Sequence, residues 1–381
     1  MDATSPDAVV IGVDTHKETH VAVALNGLGA RLGQLAVTAD GAGYRRLAEW
    51  ARSMGEVFAV GIEGSGSYGA GLGRALTAEG FRLVDVNRPN RRRRRQLGKS
   101  DAIDAELAAR AVLAGEADAV PKAADGEVEM IRQLEVARHS AVKARTQTMP
   151  TIETLLVSAP QTLRERFSNV RGRVTLARHL AALHPGELTS PTAAAEKALR
   201  TLAQRWLDLH AEIHEHDADL ERLVQARAPD STALPGVATG TIAELLVVLG
   251  DNSDRIRSDA AFAKLCGVCP IPASSGKTSR HRLCRGGHRR ANAALHRVAV
   301  TRMRSHPPTI AHVRRRIAEG KSTREIRRCL KRYIAREIFR HLRPRRLADG
   351  EPQAVMEPAT AGRAENRLAR RGQRTMTSLP A

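Results

Sequence analysis

Apolar runs alternate with polar and amphipathic stretches over the first 115 positions of the chain. Short apolar runs predict strands, and stretches with an apolar residue every three or four positions predict helices. The predicted strands cover 8–13, 19–25, 32–38, 57–62 and 82–86, and the predicted helices cover 42–53, 68–79 and 101–114. This βββαβαβα order predicts an antiparallel meander extended by parallel βαβ units, which is a mixed sheet with flanking helices.

The middle of the chain has only helical patterns. Residues 126–148 carry one apolar stripe, and residues 199–224 carry a tighter stripe with 4-3 spacing, typical of a coiled-coil seam. The seam consists of Leu202, Trp206, Leu209, Ile213, His216, Leu220 and Leu223. It predicts packing either on the first helix or on a second protomer, with His216 in a structural role. Pro150 predicts a break or kink in the first helix.

A second, mostly helical unit is expected after Pro229. Its first segment, LPGVATGTIAELLVVLGD, predicts a hairpin of helices that turns at Pro235-Gly236 and at Gly240. Beyond about residue 347 the chain is charged and poor in apolar bulk, which predicts disorder. The predicted domains are therefore 1–118 (α/β), 119–228 (helical, coiled-coil-like), 229–346 (mostly α) and 347–381 (tail).

Four acidic residues are candidates for a metal site. Asp14 and Glu63 each end an apolar run, which places both carboxylates at the rim of the sheet. Asp101 and Asp104 are three residues apart on a predicted helix and share one face. Clustered carboxylates favour a hard cation such as Mg2+ or Mn2+, and two such ions can promote phosphoryl transfer. The alternative is that these acids are solvated or cap a helix that begins at Ser100.

Charge points to a polyanionic partner. The chain has 61 lysines and arginines against 41 acids, a net charge of +20. Residues 277–346 hold 23 of these basic residues and 3 acids, so the excess lies in this segment. No apolar run reaches the roughly 20 residues that span a membrane, and no signal peptide opens the chain, so a cytoplasmic protein is expected. A further arginine run, residues 91–95, predicts contact with nucleic acid, although a solvated loop is the ordinary explanation for such a run.

A Ser/Gly loop at the start of this basic segment, residues 274–276, is a second candidate site. Ser274 and Ser275 precede a glycine and could supply a nucleophile or a phosphate-binding hydroxyl, although a flexible turn is the ordinary explanation for such a loop. The basic residues expected to contact nucleic acid are Arg91, Arg92, Arg93, Arg94, Arg95, Lys277, Arg280, Arg282, Arg289 and Arg290.

The cysteines next to this loop have a spacing that partly resembles a zinc site. Cys266 and Cys269 form a CxxC pair, followed by His281, Cys284 and His288. The later residues, His281, Cys284 and His288, lack the paired spacing of a second set of zinc ligands. Reduced and partly buried thiols are therefore the favoured interpretation.

Several segments together resemble the DEDD-type insertion-sequence transposases, the IS-one-ten and IS-eleven-eleven group. They include GVDTHKETHVAVAL, GIEGSGSYG, GKSDAIDAELAARAV, LPGVATGTIAELLVVLGD and FAKLCGVCPIPASSGKTSRHRLCRGGHRRANAAL, in order over about residues 8–340. The resemblance implies a ribonuclease-H-like (resolvase) fold for the first domain, in which Asp14, Glu63, Asp101 and Asp104 hold Mg2+. It also implies a serine nucleophile in the C-terminal domain, with Ser275 preferred and Ser274 as the fallback.

The resemblance further implies partners: the DNA of the element ends and the target, a structured guide RNA, and a second or further copy of the chain in a homodimer or homotetramer. Two other functions stay open. One is a junction-resolving nuclease that uses only the four acids. The other is a nucleic-acid-binding protein without catalytic activity.

Overall fold

The computed structural model describes residue 5 and residues 7–86, 100–276 and 280–342. Its first part is a five-stranded sheet with helices on both faces. The elements are β1 (Ala8–Thr15), β2 (Thr19–Asn26), β3 (Arg31–Thr38), α1 (Gly41–Ser53), β4 (Glu56–Glu63), α2 (Ala70–Ala78), β5 (Leu83–Val86) and α3 (Asp101–Leu113). The strand order is β3-β2-β1-β4-β5, with antiparallel pairing among the first three strands and parallel pairing at β1–β4 and β4–β5. The predicted order of elements and the mixed sheet are confirmed.

β1 is the central strand, and helices cover both of its faces. Its odd-numbered residues pack with α1 and α2, whereas Val10 packs with α3. Successive side chains of a strand point to opposite faces. Gly12 and Asp14 of β1 therefore share the α3 face with Val10, and the same alternation places Gly61 and Glu63 of β4 there.

Two glycines allow α3 to lie very close to the sheet. Gly12 and Gly61 are neighbours across the β1–β4 pair. A Cβ atom at Gly12 would lie 2.0 Å from the carbonyl oxygen of Ala105, and one at Gly61 would lie 2.7 Å from a methyl group of Val112. Non-bonded carbon contacts are most favourable at about 3.5–4.0 Å. A side chain at either position would therefore push α3 away from the sheet.

Four helices form the middle of the chain: α4 (Glu127–Ser158), α5 (Gln161–Phe167), α6 (Arg173–Ala181) and α7 (Pro191–Arg227). The predicted seam of α7 packs on α4 of the same chain, which was one of its two expected partners. Trp206, Ile213 and Leu220 are buried along the seam, and His216 is half-buried. No helix in the described part of the chain is long and apolar enough to cross a membrane.

The predicted break at Pro150 is wrong, because α4 continues as one helix to Ser158. An internal proline removes one backbone hydrogen bond and costs about 3 kcal/mol. Burial of the residues before and after Pro150 offsets this cost. Met149 and Ile152 are both buried in a cluster that includes Trp206 of α7.

The C-terminal part contains α8 (Thr239–Leu249), α9 (Asp259–Leu265), β6 (Ile271–Pro272), β7 (His281–Arg282), α10 (Arg289–Ser305), α11 (Pro307–Ala318) and α12 (Thr323–Leu342). The predicted hairpin of helices is instead a single helix, since Gly240 lies in the first turn of α8 and does not turn the chain. Burial explains the difference: α8 is enclosed on all sides from Thr241 onward, which overrides the low helix propensity of glycine. Gly236, with φ of 68°, turns the chain before the helix.

The turn after α8 binds the segment that leads into α4. Asp251 Oδ1 accepts a hydrogen bond of 2.8 Å from the backbone nitrogen of Val128, in the first turn of α4. Asn252 accepts a hydrogen bond from the backbone nitrogen of Ala123 and donates one to the carbonyl oxygen of Pro121. The first turn of α4, which has no cap from its own neighbouring side chain, is thus capped from the C-terminal part.

Replacing Gly12 by alanine should destabilise the fold. The added methyl group overlaps the α3 backbone, and overpacking of this kind costs about 1–3 kcal/mol. The measurement is the free energy of unfolding from urea denaturation, followed by circular dichroism. Gly73→Ala in α2 is the matched control, because a Cβ atom there meets only Leu83, at 3.9 Å. The control should be neutral or stabilise by up to about 1 kcal/mol. Equal stability of Gly12→Ala and the parent chain would contradict the close approach of α3.

Candidate active site

Asp14 and Glu63 lie side by side at one edge of the sheet. Asp14 is the next-to-last residue of β1, and Glu63 is the last residue of β4. The parallel register pairs Val13 with Ile62, so the two acids follow on neighbouring strands. The Oγ1 of Thr15 donates a hydrogen bond of 2.7 Å to the carbonyl oxygen of Glu63 and joins the two strand ends. This edge therefore presents two neighbouring carboxyl groups toward α3.

The first turn of α3 supplies the other two acids. Ser100 caps the helix, as its Oγ accepts a hydrogen bond of 3.3 Å from the backbone nitrogen of Ile103. Asp101 is exposed, whereas Asp104 is only 3% exposed. Ser100 thus accounts for the capping, and the helix dipole favours acids in this turn. Neither effect requires the burial of Asp104, which follows from the packing of α3 on the sheet.

His16 belongs to the same site. Its Nδ1 lies 3.8 Å from Oδ2 of Asp14, and its Nε2 lies 4.0 Å from Oδ1 of Asp101. Sequence reasoning missed this residue, although a signal was present. His16 stands two positions after Asp14 and directly follows β1, so the period of two in that strand, continued by one residue, directs it to the same side.

Asp14, His16 and Asp101 are close enough to hold one metal ion together. One ligand atom from each residue lies within 4.8 Å of the others. Glu63 adjoins this group on the next strand, and Asp104 adjoins it one turn along α3. Carboxylate oxygens suit Mg2+ and Mn2+, and an imidazole nitrogen is compatible with Mn2+. The residues therefore fit a divalent metal.

The two candidate serines lie in the loop of a small β-hairpin. β6 and β7 pair antiparallel, with Ile271 opposite Arg282. Ser274 and Ser275 are exposed in the loop between these strands. The Oγ of Ser274 accepts a long hydrogen bond of 3.4 Å from the backbone nitrogen of Arg280.

Close packing fixes the base of the hairpin. A Cβ atom at Gly287 would lie 2.1 Å from the backbone nitrogen of Gly267, so the two backbones touch. The side-chain amide of Asn292 donates to the carbonyl oxygen of Gly267 at 2.7 Å. Lys331 in turn donates to Oδ1 of Asn292 at 2.7 Å. The hairpin is thereby attached to both α10 and α12.

The cysteines lie at this base. By extension of the β6–β7 register, Cys269 lies opposite Cys284, and burial together with contact from Cys284 raises the pKa of the Cys269 thiol. Burial raises the pKa of Cys266 to about 12. Among the described residues, the groups that could hold a metal contain no cysteine.

Basic residues surround the hairpin. Arg280, Arg282, Arg289 and Arg290 are all exposed, as a phosphate contact requires. A cavity of about 310 Å³ beside the hairpin is lined by Arg280 and Arg282, and α11, α12 and the turn between them add further cations. These further cations are Arg316, Lys321, Arg328, Lys331 and Arg332. The arginine run 91–95, Lys277 and the predicted disordered tail lie outside the described residues.

The sequence matches two models of transposase families. Residues 11–159 match the model of the IS110-type DEDD transposases, and residues 232–314 match that of the transposase IS116/IS110/IS902 family. A relative from Streptomyces coelicolor, the insertion element IS110 uncharacterized 43.6 kDa protein, is 32% identical over 126 residues. That alignment covers 32% of this chain and 31% of the relative.

The first matched segment contains the four acids, and the second contains both serines. Together the matches place the chain in the DEDD class of transposases. Within that class, it belongs to the IS110 family. This membership confirms the resemblance inferred from the sequence, and it implies dependence on a divalent metal.

Asp14→Asn should weaken binding of Mn2+ at the sheet edge by at least about 10-fold, a loss seen even for residues that only support metal ligands. The physical reason is the loss of an anionic oxygen ligand at the centre of the group. Isothermal titration with Mn2+ measures the affinity. Asp7→Asn, at an exposed position before β1, is the control and should bind as the parent chain does. Unchanged affinity of Asp14→Asn would exclude this residue as a ligand.

Proposed function

We propose that the protein is the transposase of an insertion sequence and that it cuts and rejoins DNA through a serine nucleophile. The observation that carries this proposal is the convergence of Asp14 and Asp101 at the sheet edge, with Glu63 and Asp104 adjoining. The exposed serines on a hairpin surrounded by cations support the nucleophilic step.

In the proposed reaction, the Oγ of Ser275 attacks the phosphorus of a DNA phosphodiester. The bond from phosphorus to one deoxyribose oxygen breaks, and that oxygen leaves as a hydroxyl after taking up the proton lost by the serine. A hydroxyl of a second strand then attacks the phosphorus of the phosphoserine. The bond between phosphorus and the serine Oγ breaks, which restores a phosphodiester and the free serine. Ser274 is the alternative nucleophile.

The acids have a positioning role in this scheme. Asp14, Glu63, Asp101 and Asp104 would hold Mg2+, with Mn2+ as a substitute, and the ion would neutralise charge on the phosphate under attack. His16, between Asp14 and Asp101, would add a nitrogen ligand for this ion.

The cations of the C-terminal part would bind the nucleic acid. Arg280, Arg282, Arg289 and Arg290 are exposed around the hairpin and would contact phosphates of the element ends and the target. We further propose that a structured RNA from the flank of the element supplies sequence recognition by base pairing, and that the chain acts as a homodimer or homotetramer.

Ser275→Ala should abolish a covalent protein–DNA adduct on DNA that carries the element ends, because the attacking oxygen is removed. Denaturing gel electrophoresis of labelled DNA measures the adduct. Ser274→Ala is the matched control, one residue away on the same exposed loop, and should keep the adduct. The opposite pattern would make Ser274 the nucleophile. If both variants still cut DNA without any adduct and Asp14→Asn does not cut, the junction-resolving mechanism is correct instead.

A discrete RNA should co-purify with the protein. Sequencing of RNA from the purified complex should give one dominant species that maps to the flank of the element. If the protein instead carries random cellular RNA in proportion to its abundance, the RNA is bound only by non-specific attraction to the basic surface. A wash at high salt distinguishes the two, because binding that rests on phosphate contacts alone falls steeply with salt concentration.

A further inference from the structure

A second group of metal-binding side chains lies between α4 and α8. Glu135 and His139 are one helical turn apart on α4, and Glu244 faces them from α8. None of these residues belongs to the candidate active site or to the serine hairpin.

The geometry of this group suits one ion. A single ion takes one nitrogen of His139. The Nδ1 faces Glu135, 2.6 Å from its backbone carbonyl oxygen and 2.8 Å from its Oε2, whereas Nε2 lies 3.3 Å from Oε1 of Glu244. With Nδ1 donating to that carbonyl oxygen, Nε2 is the nitrogen left to bind an ion. One ligand atom from each residue lies within 4.8 Å of the others. A tetrahedral ion with bonds of about 2.0–2.2 Å holds its ligand atoms roughly 3.3–3.6 Å apart. The distance of 3.3 Å between Nε2 of His139 and Oε1 of Glu244 falls in this range.

Burial is the second, independent observation. The side chains of Glu135 and Glu244 are only 4% and 5% exposed. Within the described part of the chain, no donor makes a hydrogen bond to Oε1 of Glu135. A buried carboxylate oxygen without a donor is costly unless a cation compensates it. His139 is 34% exposed, so an ion has a path to the group.

Two carboxylates face a single imidazole. Arg138, Arg290 and Arg297 are near enough to favour the charged carboxylates, but Arg138 makes its own ion pair with Asp217. Among the described residues, no arginine or lysine makes an ion pair with Glu135 or Glu244. Burial raises the pKa of both carboxyl groups, which is the expected result of incomplete compensation. A divalent cation with two carboxylates and a neutral imidazole sums to zero.

We propose that Glu135, His139 and Glu244 form a structural site for a divalent transition-metal ion of the zinc class. The imidazole nitrogen favours such an ion over Mg2+, and a water molecule completes a four-ligand shell. The bound ion links α4 to α8 and thus fixes the long helix that follows the α/β part to the core of the C-terminal part.

The test uses the full-length chain with Asp14→Asn, which removes a ligand from the first acidic site. After treatment with a chelator, Zn2+ is added alone, and the metal content and the midpoint of thermal unfolding are measured. We expect one zinc per chain and a higher midpoint. Mg2+ at the same concentration should not raise the midpoint.

Glu244→Gln in the same background should bind zinc at least about 10-fold more weakly and lose the midpoint shift. Its metal-free form should stay folded, because the substitution removes a buried charge. His139→Gln should lose the same signal and serves as the second variant. Glu212→Gln is the matched control, since Glu212 and His216 form the same i, i+4 pair on α7, where no third metal ligand joins them among the described residues.

Co2+ distinguishes this group from the cysteine pair. A Co2+ complex with carboxylate and imidazole ligands lacks the near-ultraviolet charge-transfer band that thiolate ligands produce. The proposal is overturned if the parent background binds no zinc, if Glu244→Gln and Glu212→Gln bind zinc equally, or if the Co2+ spectrum contains the thiolate band.

Discussion

The approach of α3 to the glycine pair Gly12 and Gly61 sets how far the two helix acids, Asp101 and Asp104, lie from the two strand acids, Asp14 and Glu63. Each glycine stands two residues before an acid on the same strand and the same face. The contact that lets the helix touch the sheet therefore also sets the height of the helix above Asp14 and Glu63. A helix held farther away would carry Asp101 and Asp104 out of reach of the sheet edge. The same close contact between α3 and the sheet is therefore required both for the packing of the domain and for the grouping of its four acids.

The sheet and its acids were predictable because both depend on local pattern. A short apolar run that ends in a carboxylate identifies a strand and its rim, and Asp14 and Glu63 are of this kind. The break predicted at Pro150 and the turn predicted at Gly240 are wrong for the opposite reason, since tertiary burial overrides the local preferences of these two residues. His16 was missed because it follows the apolar run and adds nothing to the hydrophobic pattern.

The position of the serine hairpin could not be predicted, because its supports are far apart in sequence. Gly267 touches Gly287, and Asn292 connects that contact to Lys331. No spacing rule joins these four residues. The same holds for the carboxylate–imidazole group between α4 and α8. A pair four residues apart on one helix is visible in the sequence, but Glu244 joins it only through tertiary packing.

The cap that Asp251 provides for α4 has a consequence for synthesis of the chain. Val128 leaves the ribosome 123 residues before the side chain that receives its backbone hydrogen bond. The sheet and α3 are complete by residue 113, so they can fold while α4 still lacks its partner. The order of synthesis thus allows the acidic edge to form first, and the connection to the basic C-terminal part can form only after that part has emerged.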